Sequence, residues 1–513
     1  MALAGLQGEA RQLAEALVAG GQGHLFASAA SPPPQLLSQL STLHASYPGG
    51  LTAYLATARR LLAVSQRGGN PLEGWVPSVP SAGFDLTPGT DPFLAAERAG
   101  LEAAGRVGFV VPAGGLGERL GFSGVKLALP AETSSGASVM EVYAGYILAL
   151  QRYAQGRAGE DGWEGRPEKR RRGEVGEGER KEGEATGEKT RAVRLPLAIM
   201  VSDDTERGIR ELLEANAYYG MEAEQVTFLR QEKVAALSNA DAKIALAAPH
   251  QVATKPHGHG DIHFLMHKSG TARKWADAGI EWIMFFQDTN ILYFSTFLAS
   301  IGVSAQNKLA VNIISCPRKA REAIGCVAQL DHSDGRRMVA SVEYNQIEPL
   351  LLASGWPEGD CNESEGSKYP PGYSRFPGNI NELIFNLPAY LEVWCVIQGE
   401  YGYFPCKNDI ATGAMLSARD VPAQTASTAE MAVYNFHFAA AVPRSFRGVA
   451  VQVGPMVSLM PDFAPCLSLL SAKLPQPTRL CISLRSSLVV RGEDVQIDEL
   501  VLDGALEIFV KPG

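Results

Sequence analysis

Glycines at 114, 115, 117, 121 and 124 crowd the segment 110–130, and two cations, Arg119 and Lys126, stand among them with Glu118 as the one carboxylate. Glycine lets backbone N–H groups come close to an anion, and two cations can neutralise it. That is the chemistry of a nucleoside triphosphate site. The spacing argues against two commoner phosphate loops. A dinucleotide site wants G-x-G-x-x-G opening a helix. Here Gly115-Leu116-Gly117-Glu118-Arg119-Leu120-Gly121 is off that spacing, and Arg119 and Lys126 are unexplained by it. A Walker loop wants Gly-Lys-Ser/Thr, which does not occur here. In isolation the loop also reads as a tight strand–loop turn.

Three further clusters carry chemistry. In Lys255-Pro256-His257-Gly258-His259-Gly260-Asp261-Ile262-His263, His259 and His263 would be i,i+4 partners on a helix, a spacing that suits zinc. Gly258 and Gly260 instead favour a loop and helix start, so a turn that touches nucleotide or sugar is preferred over a metal centre, with a purely structural turn still open. In Phe285-Phe286-Gln287-Asp288-Thr289-Asn290 a carboxylate at the end of a strand can hold Mg²⁺ against phosphate oxygens, or can simply cap a turn. Glu343-Tyr344-Asn345-Gln346 and Pro377-Gly378-Asn379-Ile380-Asn381 pair carboxylate and amide groups, as sugar hydroxyls require. A half-exposed strand and a turn before a helix are the plainer readings of these two.

These residues need a scaffold that brings them together. Apolar runs at 106–111, 195–201, 225–229 and 282–286 read as strands, and 138–153 and the segment after Asp204 or Thr205 read as helices. The alternation implies an α/β fold with a largely parallel sheet and helices on both faces, where ligands sit at the carboxyl ends of strands. The glycine loop, Ser202-Asp203-Asp204 and Gln287-Asp288 all follow strands, so they can converge. Residues 1–100 read as helical, with Leu13, Leu17 and Val18 on one helix face, Gly20-Gly21 as a stop, a second helix over 51–64 and a Pro-rich connection over 71–92. The stretch 156–193 is Gly, Glu, Arg and Lys with almost nothing to bury, and reads as a solvated insertion. From about 480 short β runs suit a sheet or a β-helix coil.

Composition sets the outer limits. The 513 residues allow two or three domains, and the net charge of −9 argues against a nucleic-acid partner. Seven cysteines without a CxxC pair read as reduced thiols in a cytoplasmic compartment. Neither a targeting segment nor a membrane-length apolar run is evident.

In order, GGLGERLG with Lys126, SDDT, QEKVAAL, KPHGHGDIH, FFQDTN, PRKAREAIG, VEYNQ and FPGNIN resemble the UDP-sugar pyrophosphorylases, broad-specificity UTP–monosaccharide-1-phosphate uridylyltransferases. GQGHLF and SYPGGLTAYLATARRLL near the start, and RSSLVVRG and LVLDGAL near the end, extend the resemblance over most of the chain. It implies a nucleotide-diphospho-sugar transferase fold: an N-terminal helical domain (1–100), a catalytic domain with a central mixed sheet (101–440) and a truncated C-terminal β-helix (441–513). It implies that Ala113, Gly114, Gly115, Gln231 and Gly258 hold the nucleotide, and that Lys126, with Arg119 nearby, meets the UTP phosphates. His259, Glu343, Asn379 and Asn381 would meet the sugar phosphate, and Asp288 would serve Mg²⁺. UTP and sugar-1-phosphates would be the substrates, UDP-sugars and pyrophosphate the products, and the chain a monomer.

The sequence departs from that pattern in places. Pro112 removes a backbone N–H beside the loop. Over 395–424 the family's Asn-Pro-Lys and Thr-Arg-Leu-Glu elements are unrecognisable, and the match resumes at Thr425. Lys407, the only lysine in that gap, is the candidate for the second phosphate-supporting lysine. Alternatives are therefore a narrower UDP-glucose or UDP-N-acetylhexosamine pyrophosphorylase, and a UTP-binding variant with weak turnover.

Overall fold

Three amphipathic helices open the chain: α1 (Gly8–Ala19), α2 (Pro34–Ser46) and α3 (Gly50–Gln66). The computed structural model describes residues 6–27, 31–47, 49–66, 72–81, 83–117, 122–131, 135–158, 193–256, 258–361, 372–396, 410–415, 445–446, 449–450, 456–483 and 486–510. Gly20 caps α1 and Gly21, at φ 79°, turns the chain away, as the Gly-Gly pair predicts. Leu17 is fully buried but Val18 is 38% exposed, so the apolar face is narrower than expected. The Pro-rich connection is not featureless: it contains β1 (Trp75–Ser78). Thr90 then caps α4 (Asp91–Ala103), its hydroxyl accepting the Phe93 N–H, with Pro92 in the first turn. The expected boundary at 100/101 falls inside α4.

The core of the molecule alternates strands and helices, in the order β2 (Val107–Pro112), α5 (Val139–Ala158), β3 (Leu197–Val201), α6 (Glu206–Ala215) and β4 (Val226–Arg230). A detour of four short strands follows: β5 (Lys233–Ala235), β6 (Leu246–Ala248), β7 (Gln251–Val252) and β8 (Thr254–Pro256). Next come α7 (Asp261–Lys268), α8 (Thr271–Asp277), β9 (Trp282–Phe285), α9 (Phe294–Gln306), β10 (Val311–Cys316), β11 (Cys326–His332) and β12 (Arg337–Val342). The remainder of the domain is α10 (Tyr344–Ala353), β13 (Gly378–Asn386), α11 (Leu387–Val396) and β14 (Ile410–Met415). Ten of these strands form one sheet along the path β1-β11-β13-β9-β2-β3-β4, with β10, β12 and β14 paired off it. The stretch β9-β2-β3-β4 is parallel, while β13 runs antiparallel to both β9 and β10. The sheet is thus mixed, as the family resemblance implies; strand alternation alone pointed to a largely parallel one.

Successive residues of the parallel strands serve opposite faces. Phe109, Val111, Ile199 and Met284 pack with Tyr143 and Ile147 of α5 and Phe294 and Phe297 of α9. Val110, Ala198, Met200 and Ile283 pack with Ile262 and Met266 of α7 and Trp275 of α8. Both faces are buried, which explains the near-continuous apolar runs.

The detour serves a different contact. Val234, Ala235, Ile244 and Val252 share one core with Leu17, Leu36, Leu40 and Leu55 of the N-terminal helices. Gln22 and Gln39 grip it like extra strand residues. Gln22 donates to Ala242 O and accepts from Ile244 N, both at 2.9 Å, and Gln39 donates to Val252 O (2.9 Å) and accepts from its N–H (2.8 Å).

At the C-terminal end, β15 (Ser445–Phe446) and β16 (Val449–Ala450) form a small antiparallel pair. Beyond it β17 (Met456–Leu459), α12 (Leu467–Lys473), β18 (Leu480–Ile482), β19 (Ser487–Arg491), β20 (Leu500–Leu502) and β21 (Ala505–Phe509) build two narrow stacks, β17-β19-β21 and β18-β20, all parallel. Buried Glu97 of α4 fastens this unit, accepting N–H groups of Leu467 (3.0 Å) and Ser468 (2.6 Å) at the start of α12.

Candidate active site

The carboxyl ends of β2, β3 and β9 bring three sequence motifs to one edge of the sheet. Ala113 continues the ladder: its N–H donates to Met200 O at 2.8 Å, so that N–H is already committed and the N–H groups from Gly114 onward are the ones that can turn to a ligand. The Gly114 carbonyl accepts the Ser202 hydroxyl at 2.7 Å. A Cβ on Gly114 would lie 3.0 Å from Gln231 Oε1, and one on Gly115 would lie 3.6 Å from Lys126 Nζ. Glycine at 114 keeps the approach of Gln231 clear, while the spacing at 115 is an ordinary van der Waals contact. The loop folds back on itself, with Gly117 N–H donating to Gly124 O (3.0 Å) and Leu116 bridging Val125. Lys126 then opens a single 3₁₀ turn. Arg119 lies outside the described residues.

Lys126 and Asp288 come together. Lys126 Nζ stands 3.2 and 3.1 Å from the two oxygens of Asp288, whose side chain is only 5% exposed. Burial pushes the Asp288 carboxyl above its ordinary range, and the Lys126 ammonium pulls it back. Two residues fix the loop that carries Asp288. The Tyr143 hydroxyl donates to Gln287 O at 2.7 Å, and Glu382 accepts Gln287 N–H at 3.3 Å and the Asn290 amide at 2.9 Å. Burial raises the Glu382 carboxyl well above the usual range.

Gln231 follows β4 and is buried. Its amide donates to Gly258 O (2.6 Å) and to Asp261 (3.1 Å), which ties the Gly258 turn and the start of α7 to the end of the sheet. Asp203 pairs with Arg230 and, at 3.1 Å, with Lys233. His259 is exposed ahead of α7. The His263 ring packs among aromatic side chains, 4.5 Å from Phe285 and 5.7 Å from Phe385. Among the described residues no cluster of three or more His, Cys, Asp or Glu could hold a metal by itself.

Asn379 and Asn381 do not precede a helix. They open β13, and they reach the same edge because β13 is antiparallel to β9. The pairing of β10 with β13 jumps from Ile314–Glu382 to Ser315–Asn379, so Ile380 and Asn381 bulge out of the ladder. Asn381 adopts φ 60°, and its N–H donates to Asn379 Oδ1 at 2.8 Å. Asparagine tolerates this left-handed conformation better than most residues. Asn379 N–H donates to Gly325 O (2.8 Å) and its amide to Ser341 Oγ (2.9 Å). Glu343, exposed at the head of α10 rather than within a strand, points a carboxylate over Gly325, 3.9 Å from where a Cβ there would sit. Gln287 Nε2 donates to Asn381 O at 3.3 Å, which joins this polar group to the Asp288 loop.

The structure therefore gathers Gly114, Gly115, Lys126 and Asp288 in one group, Gln231 and Gly258 in a second beside it, and Glu343, Asn379 and Asn381 in a third. Lys407 lies outside the described residues. Sequence reasoning placed Ser202 among the converging strand ends but missed Tyr143 and Glu382. Their contacts join residues far apart in the chain and have no local pattern.

Comparison with known proteins agrees with this architecture. A family model described as UTP–glucose-1-phosphate uridylyltransferase matches residues 182–294. The chain is 38% identical to the UDP-sugar pyrophosphorylase of Arabidopsis thaliana, over 96% of this chain and 85% of that protein. It is 36% identical to the UDP-sugar pyrophosphorylase of Oryza sativa subsp. indica, over 98% and 86%. Among solved structures, uridine diphosphate N-acetylglucosamine pyrophosphorylase from Trypanosoma brucei shares the fold, with a TM-score of 0.63 at 16% identity over 92% of this chain and 96% of that one.

Proposed function

The chain belongs to the UDP-sugar pyrophosphorylase family, and on that footing we propose that it transfers uridylyl groups from UTP to a range of sugar-1-phosphates, forming UDP-sugar and pyrophosphate. The observation that carries this is identity of 36–38% to such enzymes over nearly the whole chain. A phosphate oxygen of the sugar-1-phosphate attacks the α-phosphorus of UTP in line. The bond from that phosphorus to the bridging oxygen breaks, and pyrophosphate leaves with the electron pair. No covalent enzyme intermediate is needed, so positioning and charge neutralisation supply the catalysis.

In this reading the backbone of Gly114 and Gly115 approaches the phosphates, and Gln231 and Gly258 face the base. Lys126 neutralises charge that develops on the phosphates, and His259, Glu343, Asn379 and Asn381 meet the sugar phosphate. The donor set suits Mg²⁺: one hard carboxylate, Asp288, together with phosphate oxygens and water is its usual company, whereas zinc would call for a dedicated cage. When bound at Asp288, Mg²⁺ would withdraw charge from the phosphate oxygens. The free state of the described cysteines supports a cytoplasmic, reducing setting. We take the monomer as the working unit, which sedimentation at assay concentration checks.

Pyrophosphate release from UTP, Mg²⁺ and a panel of sugar-1-phosphates tests the reading. Release with glucose-, galactose- and glucuronic acid-1-phosphate is expected. Release with a single sugar means a narrower enzyme, UTP binding without release means a weakly active variant, and no UTP binding rejects the proposal. Lys126→Ala is expected to lower kcat by about 100-fold or more, the scale of removing one donor from a developing anion.

A further inference from the structure

One carboxyl group beside the site has no part in the chemistry just described. Glu382 is wholly buried in β13, one residue past Asn381, opposite the end of β9. Its Oε1 accepts both the Asn290 amide and the Gln287 N–H, while Oε2 meets no partner. Burying an acid without a counter-ion is costly, and a strand residue facing a core has many cheaper alternatives. What the acid obtains for that cost is local. Asp288 stands between the two residues that Glu382 holds, and Gln287 passes the connection on to Asn381 through its side-chain amide.

We propose that Glu382 is a positioning residue: it sets the Gln287–Asn290 loop so that Asp288 presents its carboxylate to the divalent cation, and through Gln287 it keeps that loop in step with the Asn381 bulge that meets the sugar phosphate. This rests on the uridylyltransferase reading. The glycine loop, Gln231 and Gly258 are carried by other strands and make no bond to Glu382 among those described, so nucleotide binding without metal is independent of it.

The test compares the wild type with Glu382→Met, Glu382→Gln and Asn290→Ala. Three quantities are measured: UTP affinity in the presence of a chelator, Mn²⁺ affinity with UTP bound, and KM for the sugar-1-phosphate. Glu382→Met is expected to weaken Mn²⁺ by about 10-fold or more, the usual cost of losing an outer partner of a metal ligand, with a raised sugar-phosphate KM and unchanged chelated UTP affinity. Glu382→Gln keeps an acceptor where Oε1 sits, so it restores Mn²⁺ affinity to within about threefold of the wild type. Wild-type Mn²⁺ affinity in Glu382→Met overturns the proposal, as does a parallel loss of UTP affinity, which would mark a general packing role. Should Glu382→Met fail to fold, Asn290→Ala decides: weaker Mn²⁺ with unchanged UTP supports the proposal, and unchanged Mn²⁺ overturns it. A wild type that binds no UTP would overturn the uridylyltransferase reading and this proposal with it, whereas a wild type that binds UTP and Mn²⁺ leaves the variants to decide this proposal alone.

Discussion

At the scale of single residues, His263 shows how environment decides a side chain's role. By spacing alone, four residues from His259, it could be a zinc ligand, although the flanking glycines favour a turn. In the fold its ring leans on Phe285, Phe385 and Tyr390, and Nδ1 lies 3.3 Å from the Tyr390 hydroxyl. Part of the residue still reaches the surface, so it sits at the rim of this core, but its neighbours are aromatic. Burial, with the nearby His259 second, pushes the imidazole down to about 3. Its folded value lies below the unfolded value of about 6.5, so the unfolded chain binds the extra proton between the two. The stability contribution is complete above about 6.5 and is lost as pH falls toward 3. His263→Phe is expected to flatten that dependence, sparing about 2 kcal/mol of the loss between pH 7 and pH 5. Urea unfolding at the two pH values checks it; equal slopes would place the proton elsewhere. The motifs did single out Lys126 and Asp288, because an ammonium and a carboxylate in glycine-rich or strand-end settings are uncommon without a ligand. They could not reveal that these two residues pair, since 162 positions separate them.

At the scale of elements, strands buried on both faces were the easiest to read. The runs at 107–112, 197–201 and 282–285 lie within one or two residues of their expected limits. Short or alternating strands escaped: β1 hid in a Pro-rich stretch, and β13 hid behind Pro377-Gly378, a pair that otherwise signals a turn. Helix crossings escaped entirely. Helices α4 and α9 cross at Gly100 and Gly302, so closely that a Cβ on either glycine would lie 1.8 Å from the carbonyl oxygen of Leu298 or Ala96. Alanine normally favours a helix over glycine by about 1 kcal/mol. Here overpacking wins, and Gly302→Ala is expected to destabilise the protein by about 3 kcal/mol, at the upper end of such penalties. Thermal and denaturant midpoints check this; a stabilised variant would mean that the helices can part freely.

At the scale of the whole molecule, contacts between distant segments tie both ends of the chain to its central sheet domain. Helix α4 crosses the expected limit of the N-terminal domain and carries Glu97, whose carboxylate anchors the C-terminal unit. Among the described residues the three N-terminal helices, in turn, share one core with the β5–β8 detour. Neither fact leaves a periodic trace in the sequence, because both depend on contacts between segments hundreds of positions apart.

The two ends of that detour are Gln231 and Gly258, already tied to each other by a hydrogen bond, while its middle is held by Gln22 and Gln39. A nucleotide seated at the tied ends would therefore steady the helices that hold the middle, although it never touches them. Local opening of α1–α3 and of the site then share one free energy. In hydrogen exchange, UTP is expected to slow the amides of α1–α3 along with those of the glycine loop, and unchanged N-terminal exchange in a nucleotide-saturated protein would show that the two ends move independently.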